Sequence, residues 1–210
     1  VLNPDLPIAW RELLDKNPLG VRRLKYSPSC VVLLAGSSNK YPQAAHHNIH
    51  FGQSWGKIFD EIIDEGKLMS EPSFLVTIPT KDDPQLAPKE KESYYILFPT
   101  PNLSADIDWK KHTSIYRDYM VKTMEQNGYA NFGGSIEVED ITTPLEWQER
   151  GMEMGAPFAS AHTFFQTGPF RPKNIAKGFE NVVFTGSGTQ PGVGVPMVLI
   201  SGKLAAQRII

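Results

Sequence analysis

The residues best placed to do chemistry lie near the C-terminus, in NVVFTGSGTQPGVGVPMVLISGKLAA. Residues 181–185 read as a strand, 186–196 as a loop holding four glycines, and 197–210 as a helix. A strand, a glycine loop and a helix in that order aim backbone N–H groups and the positive end of the helix at an anionic or electron-rich ligand, and glycine permits close approach. The spacing GSGTQPG is GxGxxxG, which differs from the GxGxxG dinucleotide fingerprint, and no GK[ST] follows to make a phosphate-binding P-loop. On spacing alone, the alternative is a plain Gly/Pro turn entering a terminal helix.

Other reactive side chains form weaker constellations. In HHNIH, His46 and His50 could meet at i, i+4 on a helix, but the flanking GQSW favours extended chain. There they share a face about 13 Å apart, at roughly 3.3 Å per residue, too far to grip one ion, so no metal is expected. His162, in ASAHTFFQ, is a conceivable acid or base, although a histidine beside Phe164 and Phe165 is more commonly a satisfied, partly buried residue. There is no GxSxG nucleophile elbow, and Cys30, the single cysteine, sits in an apolar run. The carboxylates of EIIDEG and EVED fit solvated helix and strand surfaces, so no catalytic residue can be named.

These groups must be positioned by a mixed α+β framework. SCVVLLA, FLVTI and YYILF are short β-branched or aromatic runs suited to core strands, while SIEVEDI alternates Ile136, Val138 and Asp140 on one face with Glu137, Glu139 and Ile141 on the other. KDDPQLAPKEKE is too polar for an interior and reads as a solvated excursion between two strands. Trp55, Ile58, Phe59, Ile62 and Ile63 recur at helical spacing, with Gly66 as a stop. Trp109, Tyr116, Tyr119, Met120 and Met124 form a second stripe, read as ordinary core packing, with Asp106 as N-cap and Gly128 past the end. The expected fold is therefore a mostly antiparallel β-sheet covered by helices on one face, followed by a C-terminal strand–loop–helix.

Composition narrows the function classes. The 210 residues, 40% of them hydrophobic, can bury a core, and 21 Lys+Arg against 23 Asp+Glu leave no excess to track a phosphate backbone, so nucleic acid is not an expected partner. The one cysteine suits a reducing compartment, and no apolar run approaches the roughly 18 residues that cross a bilayer. The chain starts at Val1 and reads as a fragment of something longer.

The tail 181–206 resembles the C-terminal signature of bacterial-type phytoene desaturases, FAD-dependent flavoproteins of the amine-oxidase-like superfamily that act in carotenoid biosynthesis. That signature is a strand, then G-x-x-T-H-P-G-x-G-x-P, then a helix. Other stretches resemble the family in order: NPDLPIAWREL its NADLP segment, SPSCVVLLAG its YSPS-strand, HHNIHFGQSWGKIFDEI its H-x-x-x-F-helix, KDDPQLAPKEKESYYILFPTPNL its D-P-x-x-AP run, and GAPFASAHTFFQTGPFRPKN its FRP-x-N approach to the flavin. Gln190 stands where the family commonly has His, and Met197 where Gly is common. The family's N-terminal GxGxxG unit is not found in these residues.

The resemblance implies a flavoprotein oxidoreductase that removes hydrogens from a long apolar polyene, with FAD as hydride acceptor. It implies flavin contacts at Gly186, Gly188, Thr189, Gln190, Pro191, Gly192, Val193, Gly194, Val195 and Pro196. Phe158, Phe164, Phe165 and Phe170 become candidates for the wall of an apolar substrate channel. It further implies a linker at 1–10, a substrate-binding domain at 11–145, and a return segment at 146–210 that ends on the flavin. The substrate and the missing FAD-binding domain are the expected partners. This chain alone is expected to retain no FAD and to be inactive, and the intact enzyme to be cytoplasmic and peripherally attached to a membrane. A saturase, isomerase or ketolase of the same group, or a non-catalytic module binding an apolar ligand, are the alternatives.

Overall fold

The apolar runs SCVVLLA, FLVTI and YYILF find places in one sheet. The computed structural model describes residues 1–209. In chain order the strands are β1 (Ser29–Ser37), β2 (His47–His50), β3 (Phe74–Thr77), β4 (Glu92–Thr100) and β5 (Ile136–Thr142). The α-helices are α1 (Leu6–Ile8), α2 (Leu19–Arg22), α3 (Trp55–Ile63), α4 (Trp109–Gln126), α5 (Phe132–Ser135), α6 (Pro144–Glu149) and α7 (Val195–Ala206). The chain divides into two compact units, one formed by Cys30–Leu145 and the other by Val1–Ser29 with Glu146–Ile210.

In the unit 30–145 the strand order is β2-β3-β4-β1-β5, and the β2–β3, β3–β4 and β1–β5 pairs are antiparallel. Period-two alternation divides the sheet into two faces. Val31, Leu33, Val76, Ile96 and Phe98 point to one face and close a core with Trp109, Tyr116, Met120 and Met124 of α4. Phe98 stacks on Phe74 at 4.6 Å and meets Tyr116 edge-on at 6.4 Å, so sheet and helix are joined by aromatic contacts as well as by area. The N-cap of α4 is Asp108, whose carboxylate accepts from Lys111 N, two residues after the expected Asp106; the helix starts at Trp109, the first residue of its stripe.

β5 lies at an edge, and its simple alternation fails at one point. The register runs Gly36↔Val138 and then Ser37↔Ile136, so Glu137 is an extra residue. That bulge returns Ile136 to the core side together with Ile141. Glu139 sits on the same side and pairs with Arg117 of α4 through Nε and Nη2, which anchors the edge strand to the helix. The polar excursion between β3 and β4 holds two short 3₁₀ turns, Pro79–Lys81 and Pro84–Leu86.

The sheet's second face is also apolar. It carries Ile49, Leu75, Tyr95, Leu97 and Leu34, the last 42% exposed. Beside Leu34, Tyr95, Val138, Leu86 and Pro88 it forms a groove of about 590 Å³. On α3 two of the five stripe residues are covered: Ile58 and Ile62 are buried, whereas Trp55, Phe59 and Ile63 are exposed.

The other unit has a smaller core of Leu6, Ala9, Trp10, Ala176 and Phe184. Here 181–185 does not form the expected strand. Only single bridges occur, Leu2↔Phe184 and Ile175↔Val183, because each neighbouring segment runs beside it for one residue. The chain then enters the glycine loop.

Candidate functional site

Backbone shape explains the loop's composition. Gly186, Gly192 and Gly194 have φ of +107°, +143° and +109°, where a side chain is strained. Yet what lies next to each glycine differs. A Cβ on Gly186 would lie 2.6 Å from Asn3 Oδ1, one on Gly188 3.3 Å from Asp5 Oδ1, and one on Gly192 2.8 Å from His162 Nε2. At those three positions glycine makes room for the chain's own atoms. Gly194 has nothing within 4 Å of its missing Cβ, and it is the N-cap of α7. Gly194 is thus exposed where the loop becomes the helix.

The loop is held from behind by two buried polar residues. Arg171, 1% exposed, donates from Nη2 to Ser187 O (2.5 Å), from Nε to Thr189 O (3.2 Å), and from Nη1 to Ser160 O and Gln166 O (both 3.3 Å). Its donors thus go to backbone carbonyls and to no carboxylate among the described residues. Burial pushes the guanidinium below its ordinary pKa, partly opposed by the nearby Tyr26 and Asp5 side chains. Asn174 Nδ2 lies within hydrogen-bond distance of Phe184 O, Thr189 Oγ1, Gln190 O and Ser201 Oγ. Ser201, fully buried on α7, also accepts from Gly186 N, so the helix and the start of the loop are tied together.

The N-terminal segment closes the other side. Asp5 accepts from Leu6 N (2.9 Å), Glu153 N (3.0 Å) and Tyr26 OH (3.2 Å). Burial raises its pKa, and the same three donors pull it down. Asn3, Asp5, Met152, Arg150, Gly186 and Gly188 border a groove of about 360 Å³ with mixed polarity.

Helix α7 is apolar on nearly every face, with Pro196 in its first turn. It starts two residues before the sequence places it and ends at Ala206. Ser201 and Ala205 are buried, but Val195, Leu199 and Ile200 are 73%, 69% and 45% exposed. A helix apolar all round is normally enclosed by protein. Gln190, at the position where His is common in the resembled family, is half-buried and donates from Nε2 to Gly168 O (3.2 Å). Met197, the second departure, is 39% exposed.

The remaining sequence candidates are dispersed. Phe164, Phe165 and Phe170 form one exposed cluster of rings, and Phe158 is exposed apart from it. His162 is exposed, its pKa lowered by partial burial and by the Arg171 charge, and its ring abuts Gly192. The histidines of HHNIH go to separate partners: His46 Nδ1 to Asp82 Oδ2, His47 Nδ1 to Thr77 Oγ1 (2.9 Å), and His50 Nε2 to Tyr129 OH (3.2 Å). Sequence reasoning passed over Arg171, Asn174 and Asp5. Nothing in their local pattern marks them, since Arg171 and Asn174 are buried beside exposed Phe170 and Lys173 and their partners lie elsewhere in the chain.

Comparison with known proteins adds to this geometry. The flavin containing amine oxidoreductase pattern matches residues 122–210. The chain is 47% identical over 212 residues to a phytoene dehydrogenase of Streptomyces griseus, covering 100% of this chain and 42% of that protein. It is 37% identical to a zeta-carotene-forming phytoene desaturase of Myxococcus xanthus, covering 99% and 41%. It is 30% identical to a lycopene-forming phytoene desaturase of Pantoea ananas, covering 97% and 43%. The chain thus spans well under half the length of the curated relatives it matches. By sequence, then, it is a relative of the phytoene dehydrogenases and desaturases over nearly its whole length, and its C-terminal part carries the pattern of the flavin containing amine oxidoreductases.

Proposed function

We propose that this chain supplies the substrate-binding portion and the last flavin-contacting segment of an FAD-dependent phytoene desaturase. The observation that carries the reading is the open junction at Gly194, where a glycine loop fixed by Arg171 and Asn174 runs into the uncapped start of α7. The residues there fit a flavin ring. A bulky neighbour has room at Gly194, and the first amides of α7, at Val195 and Met197, lack intrahelical acceptors, as at any helix start.

When bound, FAD accepts the hydride removed from the polyene. This chain's residues position and polarise. The N-terminus of α7 stabilises negative charge placed against it by about 0.3–1 kcal/mol, more where water is excluded. The buried Arg171 adds a cation behind the same loop, screened by the carbonyls it binds. A hydrocarbon offers nothing to hydrogen-bond, so its binding needs apolar area with few polar groups. The second face of the sheet, with Leu34, Leu75, Tyr95 and Leu97, supplies such a surface and is the wall assigned to the polyene. Because the polyene dissolves in lipid, the intact protein would collect it at a membrane surface; among the described residues no helix is long and apolar enough to cross one.

The test is Gly194→Val in the full protein carrying this chain. Loss of bound flavin absorbance, together with loss of phytoene desaturation, is expected. Unchanged flavin content and turnover would overturn the reading.

A further inference from the structure

We propose that Arg171 acts through the glycine loop as a positioning residue that makes a bound flavin easier to reduce. This deepens the function proposed above and rests on its flavin reading. Arg171 is buried and joins no ion pair among the described residues, so no carboxylate cancels its charge. Its Nε, Nη1 and Nη2 all donate to carbonyl oxygens, and two of these, Ser187 O and Thr189 O, belong to the loop itself. A Cβ on Gly192 would lie 3.5 Å from Nε, so the guanidinium lies against the loop at 187, 189 and 192.

The cation polarises the loop as well as holding it. In a trans peptide the C=O and the next N–H point in opposite directions. With Ser187 O turned to Arg171, the N–H of Gly188 faces away from it, and that N–H has no hydrogen-bond partner among the described residues. The N–H groups of Gly192, Val193 and Gly194, on the way to α7, have none either. The loop thus presents the positive ends of peptide dipoles, with a buried positive charge behind them. The Asp5 carboxylate beside Gly188 is matched by its own donors, Leu6 N, Glu153 N and Tyr26 OH. His162, against Gly192, is held in its neutral form near pH 7, so Arg171 is the cation at this place.

Charge balance decides which state of the flavin such a loop prefers. A hydride leaving the polyene carries two electrons and one proton to the flavin, and the adjacent carbon releases a proton to water as the double bond forms. The reduced ring is therefore one negative charge richer than the oxidised ring. A buried cation and aligned amides favour the richer state, and favouring it raises the reduction potential. A hydrocarbon is a weak hydride donor, so a more oxidising flavin suits this substrate.

The experiment uses the full protein carrying this chain, loaded with FAD, and reads the flavin's reduction potential against a reference dye. Arg171→Met removes the charge and should shift the equilibrium about tenfold or more against reduction, which is about 30 mV for a two-electron couple. Arg171→Lys keeps the charge and should restore most of that shift, although it grips the loop less well and holds less FAD. If Arg171 only braces the loop, both variants lose FAD while the flavin that stays bound keeps the parent's potential, and the inference falls. Equal shifts in the two variants would also overturn it. The parent gives a second measurement that needs no variant to fold. Its potential should drop about 30 mV per pH unit between about pH 6 and 8, as one proton per two electrons and an anionic reduced ring require; a drop of about 60 mV contradicts the inference. A parent that binds no FAD would remove the flavin reading and this inference together. A parent that binds FAD with a potential indifferent to residue 171 would remove this inference alone.

Discussion

The guanidinium of Arg171 donates from Nη2 to the carbonyl oxygen of Ser187 across 2.5 Å, joining the FRPKN segment to the glycine loop with a buried cation. Its remaining donors reach three further carbonyls, so one side chain fixes the loop and the turns at 160 and 166 together. Arg171→Lys keeps the charge but loses the planar fork, which strands buried carbonyls. A loss of about 1–3 kcal/mol is expected in urea unfolding of the flavin-free protein. An unchanged midpoint would show that the loop does not depend on that geometry.

The two ends of the loop should respond differently to a methyl group. Gly192→Ala places a Cβ 2.8 Å from His162 Nε2 at φ +143° and should destabilise the flavin-free protein by about 1–3 kcal/mol. Gly194→Ala meets open space, so its cost without flavin is limited to the strain at φ +109°, about 1 kcal/mol. Thermal unfolding with and without FAD separates them: the 192 variant should be weakened in both conditions, while the 194 variant should mainly lose the stabilisation that FAD adds.

His50 makes the sheet unit sensitive to acid. Its ring stacks on Phe74 at 4.5 Å, and burial holds its pKa below the ordinary 6.5. A depressed histidine favours the neutral form in the fold, so its contribution is intact above pH 6.5 and is lost as pH falls from there through the folded pKa. Acidification should therefore destabilise the parent more than His50→Gln. Melting temperatures from pH 7.5 down to about 5 decide it, and parallel curves would exclude His50 as the source.

Phe98 joins the sheet to α4. It is fully buried between Phe74 and Tyr116, so Phe98→Ala leaves a cavity and should cost about 3–5 kcal/mol in chemical denaturation. A loss below 1 kcal/mol would mean that the aromatic core re-closes.

Local chemistry by itself determined most of the sheet and its main helix. SCVVLLA, FLVTI and YYILF became β1, β3 and β4 because runs of apolar, β-branched and aromatic residues have few ways to leave water, and the Trp109–Met124 stripe became α4 because its spacing presents one face to that sheet. The glycine loop and the helix after it were legible for the same reason, since Gly and Pro restrict the backbone locally. What a residue meets across space was not legible. Only the tertiary structure decided that Gly186, Gly188 and Gly192 accommodate Asn3, Asp5 and His162 while Gly194 faces open space. It alone gathered Arg171 and Asn174 behind the loop, turned Ile136 inward by a bulge at Glu137, and reduced 181–185 to two bridges. Periodicity reports which way a side chain faces relative to its own backbone; its partner is set by packing between segments more than a hundred residues apart, as with Asp5 and Glu153.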